Sequence, residues 1–241
     1  MIVKVMKGDI AFREVSKSDI QCSNEVYIYK TVIPFFKKYL GDSVTTFNTD
    51  DWIPRVYFAD KGIFPELGDD VETILAMENL KHLGYRLGPR IDLDEQHLML
   101  MIKNIAQYHS VTYAMRINGE KKLQELIDGL KPLRFLNEDG EVLESYNVLF
   151  KISLARLFKY VRDTPEHQTN AKFVKDVKNF QSKYETEPIR LMESFLKTDE
   201  VFSVILHGDY NRNNVLFKYD KEDGFENPSS LKMIDFQVNM N

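Results

Sequence analysis

The chain has 241 residues, 43% hydrophobic and 29% charged, with a net charge of −5, which suits one large domain or two lobes around a packed core. Its basic residues never run beyond the pairs Lys37-Lys38 and Lys121-Lys122, so a dedicated nucleic-acid or anionic-membrane surface is not expected. One cysteine, Cys22, excludes an internal disulfide, and the histidines show no metal-ligand spacing, which removes a structural zinc site.

MIVKVMKGDI at the N-terminus is too short and too charged for a signal peptide, and apolar runs such as VFSVIL (201–206) are far below membrane-spanning length. A cytoplasmic, reducing setting is expected, with no membrane partner. Cys22 reads as a small buried hydrophobe. Oligomeric state is left open.

In chain order, IVKVM (2–6) alternates apolar residues with Lys4 and predicts a short half-buried strand. A polar connection follows. Ser18-Asp19-Ile20-Gln21 has the spacing of a capping box and predicts a helix start. That helix carries Glu25, Val26, Ile28 and Tyr29, and is kinked or restarted at Pro34. Residues 41–52 read as a loop. RVYFA (55–59) and TILAM (73–77) read as two strands joined by a turn rich in Gly, Pro and Asp. Residues 94–115 predict a helix with Leu98, Met101, Ile102, Ile105 and His109 on one face, His109 reading as a hydrogen-bonded core residue rather than the alternative, a catalytic one. Residues 121–130, 145–162 and 170–197 also read as helical, with Pro165 and Pro188 as breaks. VFSVILH, NVLFKY and LKMIDF read as three short strands. This order suits a two-lobed α+β protein. A short hinge near residues 79–84 would divide it into segments 1–80 and 81–241.

The most informative stretch is HGDYNRNNVLF (207–217). If Val215 to Tyr219 pairs with Leu231 to Ile234, Asn214 sits opposite Asp235 at the open end of a hairpin. Its loop holds the turn-compatible residues Asp220, Lys221, Glu222, Asp223 and Gly224. Asp209 lies in the segment feeding that end. Asp209, Asn214 and Asp235 then converge as hard oxygen donors, a set that suits Mg²⁺ completed by water and phosphate. Phosphoryl transfer needs such charge compensation together with a carboxylate to orient the attacking hydroxyl. The spacing His207-x-Asp209-x4-Asn214 followed by Asp235-Phe236 is the pattern of kinase catalytic and metal-binding loops, with Gly208 and Gln237 replacing the usual Arg and Gly. The alternative is a capped, Asn-rich turn.

Upstream, Lys4 on its strand and Glu25 on the first helix fit the Lys–Glu pair of such a site. ILAMENL (74–80) offers an extended segment whose Glu78 and Leu80 could meet an adenine through the backbone, or could be an ordinary strand end. Arg212 reads as a solvated loop residue, or as a phosphate or substrate contact.

Taken together, IVKVM, NEVYIYKTVIPFF, LAMENLKHLGYRLG, IAQYHSVTYAM, HGDYNRNNVLFKYD and MIDFQ occur in the order of the ecdysteroid kinase-like family and cover nearly the whole chain. The chain resembles that family, a choline-kinase-like branch related to aminoglycoside phosphotransferases within the protein-kinase-like fold. The resemblance implies ATP- and Mg²⁺-dependent phosphorylation of a hydroxyl on a small molecule, with a steroid among the candidates. It makes Asp209 the catalytic residue and Asn214 and Asp235 the magnesium ligands. Lys4 would bind the α/β-phosphates, Glu25 would position Lys4, and Glu78 and Leu80 would lie at the nucleotide hinge. Only three residues precede Lys4, no G-x-G-x-x-G occurs, and four residues follow Gln237. Against the family pattern the chain reads as truncated at both ends, with an incomplete N-lobe sheet and a helical C-lobe cut short after IDFQ. Two other readings are a noncatalytic kinase-like remnant acting as a binding or regulatory module, and a choline- or aminoglycoside-type kinase.

Overall fold

In a computed structural model the chain is described at residues 1–16, 18–41, 48–131, 135–137, 139–195, 202–219 and 226–236, with backbone alone at 14, 15 and 145. The expected hairpin-loop residues 220–224, as well as Val201 and Gln237, lie outside them. The architecture is α+β. Met1–Leu133 with Val201–Asn241 forms one compact unit and Arg134–Glu200 another. Among the described residues no helix is long and apolar enough to cross a membrane.

The first unit holds two antiparallel sheets. β1 (Ile2–Val5), β2 (Val56–Ile63) and β3 (Val71–Met77) form one in the order β1-β3-β2. RVYFA and TILAM thus pair as expected, with β2 continuing to Ile63 and a bulge between Val56 and Phe58. β1 is less buried than its alternation predicts. Ile2, Val3 and Val5 are exposed, because β1 is an edge strand that pairs with β3 alone. Its register sets Lys4 beside Leu75.

The expected polar connection contains a helix, α1 (Ile10–Ser16). Asp9 caps it, accepting from the Phe12 N–H at 2.9 Å. α2 (Ser18–Tyr27) starts where the capping-box spacing places it, but Ser18 Oγ is buried without a hydrogen-bond partner among the described residues. The box itself does not form. Before Pro34 the helix widens into a π turn, Ile28–Val32, and continues as α3 (Ile33–Gly41). Proline has no N–H, and its ring crowds the carbonyl four residues back. The wider turn, in which Ile33 N–H reaches Ile28 O, accommodates it without ending the helix.

After a 3₁₀ turn at Leu80–Leu83, Gly84 takes φ 82° and its carbonyl accepts from the Tyr219 N–H at 3.2 Å. A Cβ there would meet Tyr219 O at 3.3 Å, so glycine serves both the left-handed turn and the close approach. β4 (Tyr85–Arg86) then joins β5 (Val215–Lys218) and β6 (Ser230–Met233) in the second sheet.

α4 (Glu95–Ile117) lies where a helix is expected; Met101 and Ile105 pack against the core as expected, but the buried face is rotated from the predicted one. Leu98 and Ile102 are exposed, while His97, Asn104, Tyr108, Val111 and Met115 are buried. Both sets have helical spacing, so period alone cannot choose between them. Of its polar members His97 buries with partners, whereas Asn104 Oδ1 and Tyr108 Oη have no hydrogen-bond partner among the described residues. His97 bonds Asp94 Oδ1 and Tyr219 Oη, each at 2.7 Å. His109 is half-buried and packs on Tyr108. Its Nε2 has no hydrogen-bond partner among the described residues, contrary to the hydrogen-bonded core role expected of it. Tyr108 is the hub of the core, against Phe36, Trp52 and Phe236. α5 (Lys122–Asp128) follows, with Leu123 and Leu126 buried.

Residues 202–207 do not form the expected strand. Side chains of α4 take their backbone groups: Tyr113 Oη donates to Phe202 O, Arg116 to Ser203 O, and Thr112 Oγ1 accepts from Ile205 N–H. Buried backbone polar groups need partners, and here a helix supplies them in place of a ladder.

The second unit is helical: α6 (Glu144–Arg162), α7 (Pro165–Thr169), α8 (Ala171–Tyr184) and α9 (Ile189–Phe195). Pro165 starts a helix instead of only ending one, at N1 behind the Thr164 cap. Asn170 caps α8. The unit packs Phe158 on Phe180, and Phe135 on Tyr146 and Phe150.

Candidate active site

Four anchors hold the loop 207–214. His207 Nε2–H donates to Ile234 O at 2.9 Å, and its ring lies 4.3 Å from Phe236. Tyr210 Oη donates to Met101 O at 2.9 Å, and Arg212 to Pro89 O at 2.8 Å. Arg212 is therefore neither fully solvated nor poised over the cleft; it clamps the loop. Asn214 Nδ2 donates to both the carbonyl and the Oδ2 of Asp209, at 2.9 and 2.8 Å. Gly208 has φ 87°, which lets the chain turn between the buried His207 and the exposed Asp209. Asn211 donates to Asp209 Oδ1 at 2.8 Å. Each carboxylate oxygen of Asp209 thus receives an amide N–H, and its orientation is set.

β5 and β6 pair Val215 with Met233 and Lys218 with Ser230. Asn214 consequently faces Ile234, whose N–H it accepts at 3.0 Å, and Asp235 is one residue further on than the expected opposition. Asp235 has φ 69°, an uncommon conformation outside glycine that Asp tolerates better than most residues. It persists where surrounding contacts over-determine it. Two of those contacts are the Ile234 bond to Asn214 and the ion pair from Lys4.

Lys4 Nζ lies 2.7 Å from Glu25 Oε2 and 2.5 Å from Asp235 Oδ1. Burial works against its charge, but Glu25 and Asp235 outweigh that and raise the Lys4 pKa above the ordinary value. Glu25 is 3% exposed, so Lys4 compensates a buried carboxylate. Lys4→Met is expected to cost about 1–3 kcal/mol in urea unfolding, and adding Glu25→Gln should restore most of it. An unchanged midpoint for Lys4→Met alone would show that the ammonium compensates nothing.

These residues open onto one cavity of about 740 Å³, in the size range of small-molecule sites. Lys4, Glu25, Glu78, Leu80, Asn214 and Asp235 all line it. Asp209 does not, and reaches it through Asn214. Sequence reasoning missed the remaining walls. Ile2, Met77, Leu216 and Ile234 supply apolar surface, and Lys81 and Arg86 add cations. The signal for Leu216 and Ile234 was available in strand alternation beside Asn214 and Asp235. Arg86, on a two-residue strand, had none.

The donor chemistry fits a small hard cation. Asn214 donates through its nitrogen, and neither its Oδ1 nor Asp235 Oδ2 has a hydrogen-bond partner among the described residues. Two protein oxygens on one cavity wall suit Mg²⁺, which keeps several waters and uses phosphate oxygens for the rest.

No curated protein and no solved structure matches the chain. The model of the ecdysteroid kinase-like family matches residues 1–240, and the chain therefore belongs to the ecdysteroid kinase-like family.

Proposed function

We propose that this chain is an ATP-dependent phosphotransferase that moves the γ-phosphate to a hydroxyl group of a small molecule, with a steroid among the candidate acceptors. The observation that carries this reading is one cavity joining Lys4, Asn214 and Asp235 to the extended Glu78–Leu80 segment, with the oriented Asp209 carboxylate at its edge. Segment 1–80 would bind the nucleotide, and 81–241 would carry the catalytic loop.

Lys4 holds the α/β-phosphates, and Glu25 fixes its position. Glu78 and Leu80 meet the base through the backbone. Asp209 would orient the acceptor hydroxyl and take its proton as the new O–P bond forms and the bond from the γ-phosphorus to the β,γ-bridging oxygen breaks, with ADP leaving. Asn214 and Asp235 would hold Mg²⁺, which when bound supplies charge compensation at the phosphates. Positioning and electrostatics are what such a transfer chiefly needs from the protein.

A thermal melt with Mg·ATP tests this. Ligand at a hundred times its Kd should raise Tm by about 5–10 °C, and Asp235→Ala should abolish the rise. No shift at millimolar Mg·ATP would sink the reading.

A further inference from the structure

A second cavity, of about 570 Å³, lies against the π turn, α3 and the start of β2. It shares Pro54 and Glu78 as walls with the Asp235 cavity. We propose that it is a second ligand site, for a small organic anion with an apolar body. Unmatched charge and unmatched hydrogen bonding on its walls both point to an anion.

Lys232 lines this cavity and is 9% exposed. Its ammonium donates to two carbonyls, Asp50 O at 2.5 Å and Ile53 O at 2.9 Å. No carboxylate pairs with it among the described residues. Burial lowers its pKa, while Glu78, Asp51 and Asp50 offset part of that from a distance. A buried cation normally carries an ionic partner. Arg55 lines the same cavity, exposed, and its guanidinium makes no hydrogen bond or ion pair among the described residues. The other lysines there are already matched, Lys30 with Asp60 and Lys37 with Asp50. Among the described residues Glu78 makes no ion pair, and it lines the cavity with two cations that pair with no carboxylate, Arg55 and Lys232, the latter 5.8 Å from the Tyr85 ring.

The unmatched hydrogen bonding is at Thr49. It is 1% exposed, lines the cavity, and its Oγ1 has no hydrogen-bond partner among the described residues. Such buried polar atoms are rare enough to need an explanation, and an anion held by Lys232 and Arg55 would supply an acceptor beside this hydroxyl. Ile33, Pro34, Ile53 and Val56 supply the apolar wall. The size falls within the range of small-molecule sites. Guanidinium and ammonium groups select carboxylate or phosphate oxygens.

Calorimetric titration of the full chain with phenyl phosphate, benzoate and neutral benzyl alcohol tests this. Saturable 1:1 binding of phenyl phosphate or benzoate is expected, with benzyl alcohol silent; the tighter anion identifies the preferred head group. Arg55→Ala and Lys232→Met should each weaken binding about tenfold. Asp235→Ala and saturating Mg·ATP should leave it unchanged. Arg55 is exposed and its guanidinium makes no hydrogen bond or ion pair among the described residues, so its variant decides the matter even where Lys232→Met fails to fold. The proposal is overturned by absent binding, by equal binding of benzyl alcohol, or by anion binding that Mg·ATP displaces and Arg55→Ala ignores. The Mg·ATP melt is read separately, so failure here and failure of the phosphotransferase reading are distinguishable.

Discussion

Asp209→Asn is expected to slow phosphoryl transfer roughly 10²–10⁴-fold, read as ATP turnover over a panel of hydroxyl-bearing small molecules. Mg·ATP affinity should stay within about threefold, the scale of a contact outside the ligand's own wall. The two parameters separate because of position. Asp209 is exposed and does not line the Asp235 cavity, so it can meet an acceptor without contacting the nucleotide. Its carboxylate receives Asn211 Nδ2 on one oxygen and Asn214 Nδ2 on the other. An amide at 209 turns an NH₂ toward one of those donors and loses both the negative charge and one bond. Asn211→Ala removes only one of the two orienting bonds, so a loss of about tenfold is expected for it. Equal losses in turnover and in Mg·ATP affinity would put Asp209 in the nucleotide site. Unchanged turnover would remove its proposed role.

The hairpin was legible because strand alternation in NVLFKY and LKMIDF coincides with polar residues at matching ends, and the chain pairs Val215 with Met233 accordingly. The one-residue offset, Asn214 facing Ile234, follows from the same alternation: pairing Val215 and Phe217 with the apolar Met233 and Leu231 keeps them on one face, and a one-residue slip would not. The buried face of α4 is rotated from its apolar one because polar residues share the burial. His97 and Asn104 are buried on the adjoining stripe, and the partners of His97, Asp94 and Tyr219, are remote or unsuspected in sequence. VFSVIL reads as a strand by composition, yet α4 side chains satisfy its backbone. Tertiary context outweighed propensity there. The direct bond between Lys4 and Asp235 joins residues at opposite ends of the chain, and no local pattern encodes such a contact.

Acidification should weaken the fold through His207, and the size of the effect follows from its surroundings. His207 is 1% exposed. Burial pulls its pKa down to about 4, although the Ile234 carbonyl, Asp209 and Asp235 oppose that. Nε2 is committed to Ile234 O, and Nδ1 has no hydrogen-bond partner among the described residues. A second proton on the ring would find only the backbone of His207 itself, which offsets burial in part. The unfolded chain takes up that proton near pH 6.5, whereas the folded chain resists it until about pH 4. The depressed pKa therefore contributes stability that is fully present above pH 6.5 and lost as pH falls toward 4. The loss attributable to this one group is about 3 kcal/mol. It is read as the difference in unfolding free energy between the wild type and His207→Gln, which cannot charge, in a pH series without divalent cation. The wild-type advantage should shrink by that amount between pH 7 and pH 4, and a constant gap across the series would show that His207 is free to protonate in the folded state.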